Sequence, residues 1–264
     1  NVEFNAGSTV GKLTDGTLRI AGSFLAGGST QETFAPSADH RTVFDGTGIQ
    51  TVNFQHAGSA ANRQHFMHLE VAQQTETDAV HFLNTAYVNG DVTISVGTVT
   101  GTTASVHLSG DLLDETGGRW NAPKTTIIGS TPSLPDGVNT DLTLASVVML
   151  PNGFTLNGDL RTEPTGTLRM NGQTVQVNGD VVINGGGLEM TNAADQLTLS
   201  GNIEFNAGST VGKLIDGALR IGGDFLAGGS TQETFAPSAA HRTVFIGNGT
   251  QTINFQHPGP QSVR

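Results

Sequence analysis

The sequence has no cysteine, one tryptophan and one tyrosine among its 264 residues. Without cysteine there is no disulfide framework and no thiolate metal site. Charge is also scarce: Asp, Glu, Lys and Arg make up 13% of the chain, with 12 basic residues against 23 acidic ones and a net charge of -11. No basic patch is visible, which argues against a nucleic-acid partner or an anionic membrane surface. No apolar run approaches the roughly 20 residues of a membrane-spanning helix, so no membrane insertion is expected. No helical period persists beyond about two turns. No secretory leader pattern opens the chain, and Asn1 enters in mid-pattern, so a segment of something longer is expected.

What the chain does have is glycine, 36 residues of it, and repetition. From Phe154 to Phe225 one pattern recurs. A short strand with apolar ends (Phe154–Leu156, Val175–Val177, Leu197–Leu199, Leu219–Ile221) is followed by a polar corner and a second apolar strand. The corners carry Gly158-Asp159, Gly179-Asp180, Gly201-Asn202 and Gly223-Asp224, spaced by 21 to 22 residues. Earlier in the chain Gly90-Asp91 and Gly110-Asp111 carry the same corner. A period in this range marks a solenoid, in which strands too short to bury a face alone stack on their equivalents one coil away. The spacing predicts an all-β fold, a parallel β-helix with three short strands per coil and about twelve coils, right-handed by the bias of parallel crossovers. Gly and Asn at the corners are expected to supply positive φ.

A second, longer repeat overlies the first. Residues 1–58 match 202–259 without a gap, and 47 of the 58 positions are identical. The chain therefore reads as one continuous solenoid over 1–264: a long repeat at 1–201 and the start of another at 202–264. Phe24, Phe34, Phe44 and Phe54 recur as Phe225, Phe235, Phe245 and Phe255, which predicts an interior aromatic stack. Three stretches break the coil spacing: 57–68, 114–123 and 130–140. They are expected to be loops or excursions, and Arg63, His65, His68 and Trp120 in them are the residues placed for lateral contact.

The corner acids are the first candidates for chemistry. Stacked coils bring carboxylates about 5 Å apart, the separation of a retaining glycosidase, and calcium would also take them. Against both, Asn202 interrupts the column and Asp224 is Ser23 in the first copy. The expected role is a corner residue whose side chain bonds its own turn. His56, His65 and His68 match no zinc spacing. Glu32, His40 and Arg41 recur in the second copy, but Asp39 and Asp45 become Ala240 and Ile246, so a scheme needing them would work in one copy only. Arg41 is expected to pair with a carboxylate at the rim of a coil. There is no GxSxG nucleophile motif. Thr98–Ser105 is threonine-rich, but its threonines do not hold one position from coil to coil. No catalytic residue, cofactor or metal ligand is assigned.

The Gly-Asp corners and the array of 21- to 22-residue coils resemble the parallel β-helix repeats of large bacterial surface proteins, including filamentous-haemagglutinin-type adhesins. The resemblance implies an extracellular or cell-surface protein without enzymatic activity: a segment of a fibre, stalk or filament associating end to end. An adhesin that meets a glycan or a surface through its excursion loops is the alternative. A carbohydrate-active β-helix enzyme is the third reading, and the 12 basic residues offer it no mixed-charge groove.

Overall fold

In Val175-Gln176-Val177 the two valines point one way and the glutamine the other, so the strand is stable only between equivalents that cover its apolar side and pair its backbone. That is its situation in the computed structural model, which describes residues 1–114, 119–229, 231–238 and 240–257. The described residues form strands and turns without a helix. The strands run parallel and stack as a β-solenoid of about 11 turns. Two compact units are present, 1–126 with 138–140, and 127–137 with the residues from 141 on.

The second unit contains the regular array. Phe154, Val175 and Leu197 lie in register one above another, and Leu219 continues the column. All four are at most 3% exposed. Thr155, Gln176, Thr198 and Arg220, on the alternate positions, line up outside. A second side stacks Asp141–Leu144, Leu160–Thr162, Val181–Asn184 and Ile203–Ala207, and a third stacks Val147–Met149, Thr167–Arg169 and Gly187–Glu189. Between Phe154 and Leu199 the coils have three strands and 20 to 22 residues, close to the spacing read from the sequence.

The first unit departs from that period. Phe24 pairs with Val52, 28 residues on, and Ile49 with Ala79, 30 residues on. The additional residues account for about 11 turns in place of the expected twelve. They also change the coil. In the duplicated block two sides are strands (Val2–Phe4 and Thr17–Ile20, then Phe24–Ala26 and Arg41–Phe44), while the third is a run of turns. From the run 27–40, Thr33, Phe34 and Ala35 turn inward and are buried.

Those inward residues build the expected aromatic core. Phe34 meets Phe4 and Phe24, each with ring centroids 4.9 Å apart. Phe24 also stands 5.4 Å from Phe54, and Phe44, Phe54 and Phe66 close the cluster. Each fully buried phenylalanine contributes about 1.5–3 kcal/mol by removal from water, with edge-to-face contacts adding to that.

Phe66 comes from the stretch read as an excursion, and the structure corrects that reading. Residues 59–63 do turn outward, but the backbone then returns. Ala57 bridges Gln64, the N–H of Gly58 donates to Gln64 O at 3.0 Å, and Gln64, His65 and Phe66 are all at most 2% exposed. A large apolar ring at position 66 draws its neighbours in. The stretch at 114–123 is corrected in part as well: Trp120 and Asn121 form a two-residue strand on Val99 and Thr100. Residues 115–118 of that stretch lie outside the described residues. Among the described residues no helix is long and apolar enough to cross a membrane.

Candidate functional site: a ladder of corner side chains

The corner begins with a geometric problem. In a strand, the N–H and C=O of one residue point to the same neighbour and each meets a backbone partner there. At the corner residue Asp180 both point back to the preceding coil: its C=O accepts from Leu160 N–H at 2.9 Å, and its own N–H also faces that coil. The backbone there has no second acceptor to give. Asp159, one coil earlier, supplies it through Oδ1 at 2.8 Å.

The same bond recurs up the second unit. Asp159 N–H donates to Asp141 Oδ1 at 3.2 Å, Asn202 N–H to Asp180 Oδ1 at 2.6 Å, and Asp224 N–H to Asn202 Oδ1 at 2.8 Å. Thr252 N–H then donates to Asp224 Oδ1 at 2.7 Å. In the first unit Asp111 N–H donates to Asp91 Oδ1 at 2.9 Å, and Asp91 N–H to His68 Nδ1 at 3.1 Å. Ser23 N–H donates to Asn1 Oδ1 and Thr51 N–H to Ser23 Oγ. This corrects the expectation that the corner side chain bonds its own turn: it bonds the next coil. What the position requires is one acceptor atom at the right height, and Asp, Asn, Ser and neutral His each supply one. That is why Asn202 and Ser23 fit a column that otherwise holds aspartate. Outside it, Asn178 Nδ2 donates to Asn157 Oδ1 at 2.7 Å, a parallel link between coils.

The glycine before each corner acid is explained by the same bond. Gly90, Gly110, Gly158, Gly179, Gly201 and Gly223 are not among the residues at positive φ, contrary to expectation. Space decides instead. A Cβ at Gly201 would lie 2.2 Å from Asp180 Oδ1, and one at Gly179 would lie 2.3 Å from Asp159 Oδ1. The equivalent gaps at Gly110 and Gly223 are 2.4 and 2.5 Å. At Gly90 the atoms in the way belong to His68 and to Met67 O. Glycine clears room for the acceptor of the coil beneath, so Gly and Asx form one unit spanning two coils.

Of the residues placed for lateral contact, Trp120 and His65 are 0% and 2% exposed and cannot serve it. The Trp120 indole N–H donates to Thr125 Oγ1 at 2.8 Å, which pairs with Thr140 Oγ1. His65 Nδ1 lies 2.9 Å from Arg63 O and Nε2 lies 2.7 Å from Pro36 O. Burial lowers its pKa from the ordinary imidazole value, outweighing the two carbonyls that favour its protonated form. Burial likewise lowers the pKa of His40, His107 and His241. His68 is partly exposed but belongs to the ladder, which leaves Arg63, half-exposed, as the remaining member of that set. Arg41 meets Glu70 at 2.9 Å on the coil above, the rim pairing anticipated for it.

Sequence reasoning missed a second set of clasps. Asp78 Oδ1 accepts Gly48 N–H at 2.6 Å and Oδ2 accepts Thr75 N–H at 2.8 Å. These donors, Gly48 first, hold its carboxyl below the usual range. Asp195, 1% exposed, takes Gly172, Thr191 and Asn192 in the same way. Gln50 Oε1 accepts Gly46 N–H while its Nε2 donates to Ile20 O and Gly22 O, and Gln251 repeats this on Gly247, Ile221 and Gly223. The recurrence of Gln50 as Gln251 at the offset of 201 was the available signal. Among the described residues no three His, Asp or Glu side chains gather as a metal site would need. Comparison with models of protein families, with curated proteins and with solved structures found no match for this chain.

Proposed function

We propose that the chain is a structural segment of an extracellular fibre or stalk on a bacterial cell surface, built by end-to-end addition of coils and without enzymatic activity. The observation that carries this reading is the use made of the polar side chains. Many of the acids and amides that could do chemistry hold one coil to the next, and the same clasps recur in both copies of the duplicated block. Thr9 Oγ1 accepts Ala35 N–H at 2.8 Å, and Thr210 Oγ1 accepts Ala236 N–H at 2.7 Å. Duplication of such a block extends a stack by whole coils, whereas a single active site gains nothing from it. The likeness of the corner array to filamentous-haemagglutinin-type repeats supports the same assignment, and the net charge of -11 limits uncontrolled bundling.

Imaging of the native material tests the reading. Filaments or stalks with an axial repeat made of stacked coils, reached by antibody on intact cells, are expected. Isolated globular particles, or labelling only after lysis, would overturn it.

A further inference from the structure

Among the described residues the acceptors of the corner ladder are oxygens of Asp, Asn or Ser, with one exception. The exception is His68, whose Nδ1 accepts Asp91 N–H at 3.1 Å. A carboxylate, amide or hydroxyl oxygen accepts throughout the pH range near neutrality, whereas an imidazole nitrogen accepts only while it carries no proton.

The corner at Asp91 hangs on the coil beneath by three successive donors. Asn89 N–H bonds Phe66 O at 3.0 Å, Gly90 N–H bonds Met67 O at 2.8 Å, and Asp91 N–H bonds His68 Nδ1. The first two acceptors are carbonyls and do not titrate. The imidazole is seated against Gly90, where a Cβ would stand 2.6 Å from Cε1 and 2.7 Å from Nδ1. Its side chain is 26% exposed, so solvent can supply a proton. Asp91 in turn serves the next coil, its Oδ1 accepting Asp111 N–H at 2.9 Å. Its Oδ2 stands 3.6 Å from His68 Nδ1, too far for a hydrogen bond and within reach of one after a small rotation. The outward turn at 59–63 is tied to the same corner, with Asn89 Nδ2 donating to Ser59 O at 2.9 Å.

The charged and titratable groups around His68 come from three levels. On the coil beneath, Arg41 is its partner in register, and His40 offers a carbonyl to His68 N–H at 3.1 Å while its own ring is buried. On the strand of His68 itself, Glu70 is engaged by the Arg41 guanidinium at 2.9 Å. Above stand Asp91 and, one coil further, Asp111. The counter-charge that a cationic ring would meet at contact range is the Asp91 carboxylate.

We propose that the His68–Asp91 corner is a proton-operated joint that loosens one coil junction in acid. Protonation at Nδ1 turns the acceptor into a donor. Asp91 N–H then faces another N–H and loses its partner, and the ring turns to Asp91 Oδ2, where a charge-assisted bond replaces the neutral one. The carboxylate is drawn away from Asp111 N–H, so the disturbance passes one coil up. Attachment by three donors falls to two, and the turn at 59–63 loosens with its anchor at Asn89. Loss of the proton closes the corner again. Corners built on oxygen, such as Asp159 with Asp180, do not respond.

Amide hydrogen exchange of the isotope-labelled protein, read residue by residue, tests the joint. Protection is corrected for the intrinsic pH dependence of exchange and compared between about pH 7 and about pH 5. Asp91 and Asp111 are expected to lose protection several-fold more than Asp180, in step with the titration of the His68 ring protons. His68→Asn keeps an acceptor in place of Nδ1 and has no titrating ring, so in H68N Asp91 should track Asp180 at both pH values. If H68N fails to fold, the comparison of Asp91 with Asp180 in the unaltered protein still decides. Equal losses at Asp91 and Asp180 overturn the joint, since they report a general weakening in acid. A selective loss at Asp91 that persists in H68N overturns it as well. Exchange at Asp91 is independent of fibre formation, so the joint and the fibre can each fall alone.

Discussion

Asp159 Oδ1 accepts the backbone N–H of Asp180, 21 residues on, at 2.8 Å. The bond joins a side chain of one coil to the main chain of the next, and its loss leaves a corner N–H facing an empty position. At a partly exposed site that costs about 1 kcal/mol. We expect Asp159→Ala to lower stability in urea unfolding by about that amount and Asp159→Asn to be nearly neutral, because Asn keeps the acceptor. Equal effects of the two substitutions would show that charge, not the acceptor, matters.

Gly201 and Asp180 should be coupled. Gly201→Ala places a methyl 2.2 Å from Asp180 Oδ1 and 2.7 Å from Gly179 O, so the coils must part. A cost of about 2 kcal/mol is expected, in the range of overpacking. In the Asp180→Ala background the side-chain clash is gone and the backbone one remains, so the cost of Gly201→Ala should fall without vanishing. A double-mutant cycle reads the difference, and strict additivity would sink the account of why glycine stands there.

Phe66→Ala removes a ring in contact with Phe24, Phe34, Phe44 and Phe54. The expected cost is about 3–5 kcal/mol. Arg63→Ala, three residues before it on the outward turn, should be close to neutral. Similar effects of the two would return the whole stretch to the status of a loop.

The buried histidines set a pH dependence. Their folded pKa values lie below 6.5 because burial disfavours the cation. Above that pH the imidazoles are neutral in folded and unfolded chain alike, and they add no slope. As pH falls below it, the unfolded chain takes up protons that the folded chain refuses, so stability declines towards acid. Tm should be lower at pH 5 than at pH 7. Replacing His40 by Asn and His65 by Gln should flatten that decline even if both variants start from a lower Tm. An unchanged slope would place the acid sensitivity elsewhere.

Trp120 is the single tryptophan and fully buried. Its emission should be blue-shifted and poorly quenched by iodide in the folded chain. Emission characteristic of exposed indole would contradict the two-residue strand at Trp120.

The parts of this fold that were legible in the sequence are those whose logic runs along the chain. Val175-Gln176-Val177 announces its inward face, and Phe24, Phe34 and Phe44, ten residues apart, announce a shared interior. What was not legible runs across the stack. Nothing adjacent to Gly201 in sequence shows that Asp180 Oδ1 will occupy its side-chain space, and a glycine beside an aspartate reads by habit as a residue of unusual φ. Asp78 and Asp195 look like ordinary turn acids until their partners 30 and 23 residues away are known. Phe66 and Trp120 were hidden by their neighbours, since a stretch that breaks the coil spacing signals a loop and one large side chain can override that signal.

The corner residue turns both its N–H and its C=O toward the coil before it, and this gives the ladder an arrow. Asp141, Asp159 and Asp180 lie in chain order, each accepting from the next. As the chain is synthesised, the acceptor at every level exists before its donor emerges. Each new coil can therefore fasten its corner N–H to a side chain already in place as it leaves the ribosome.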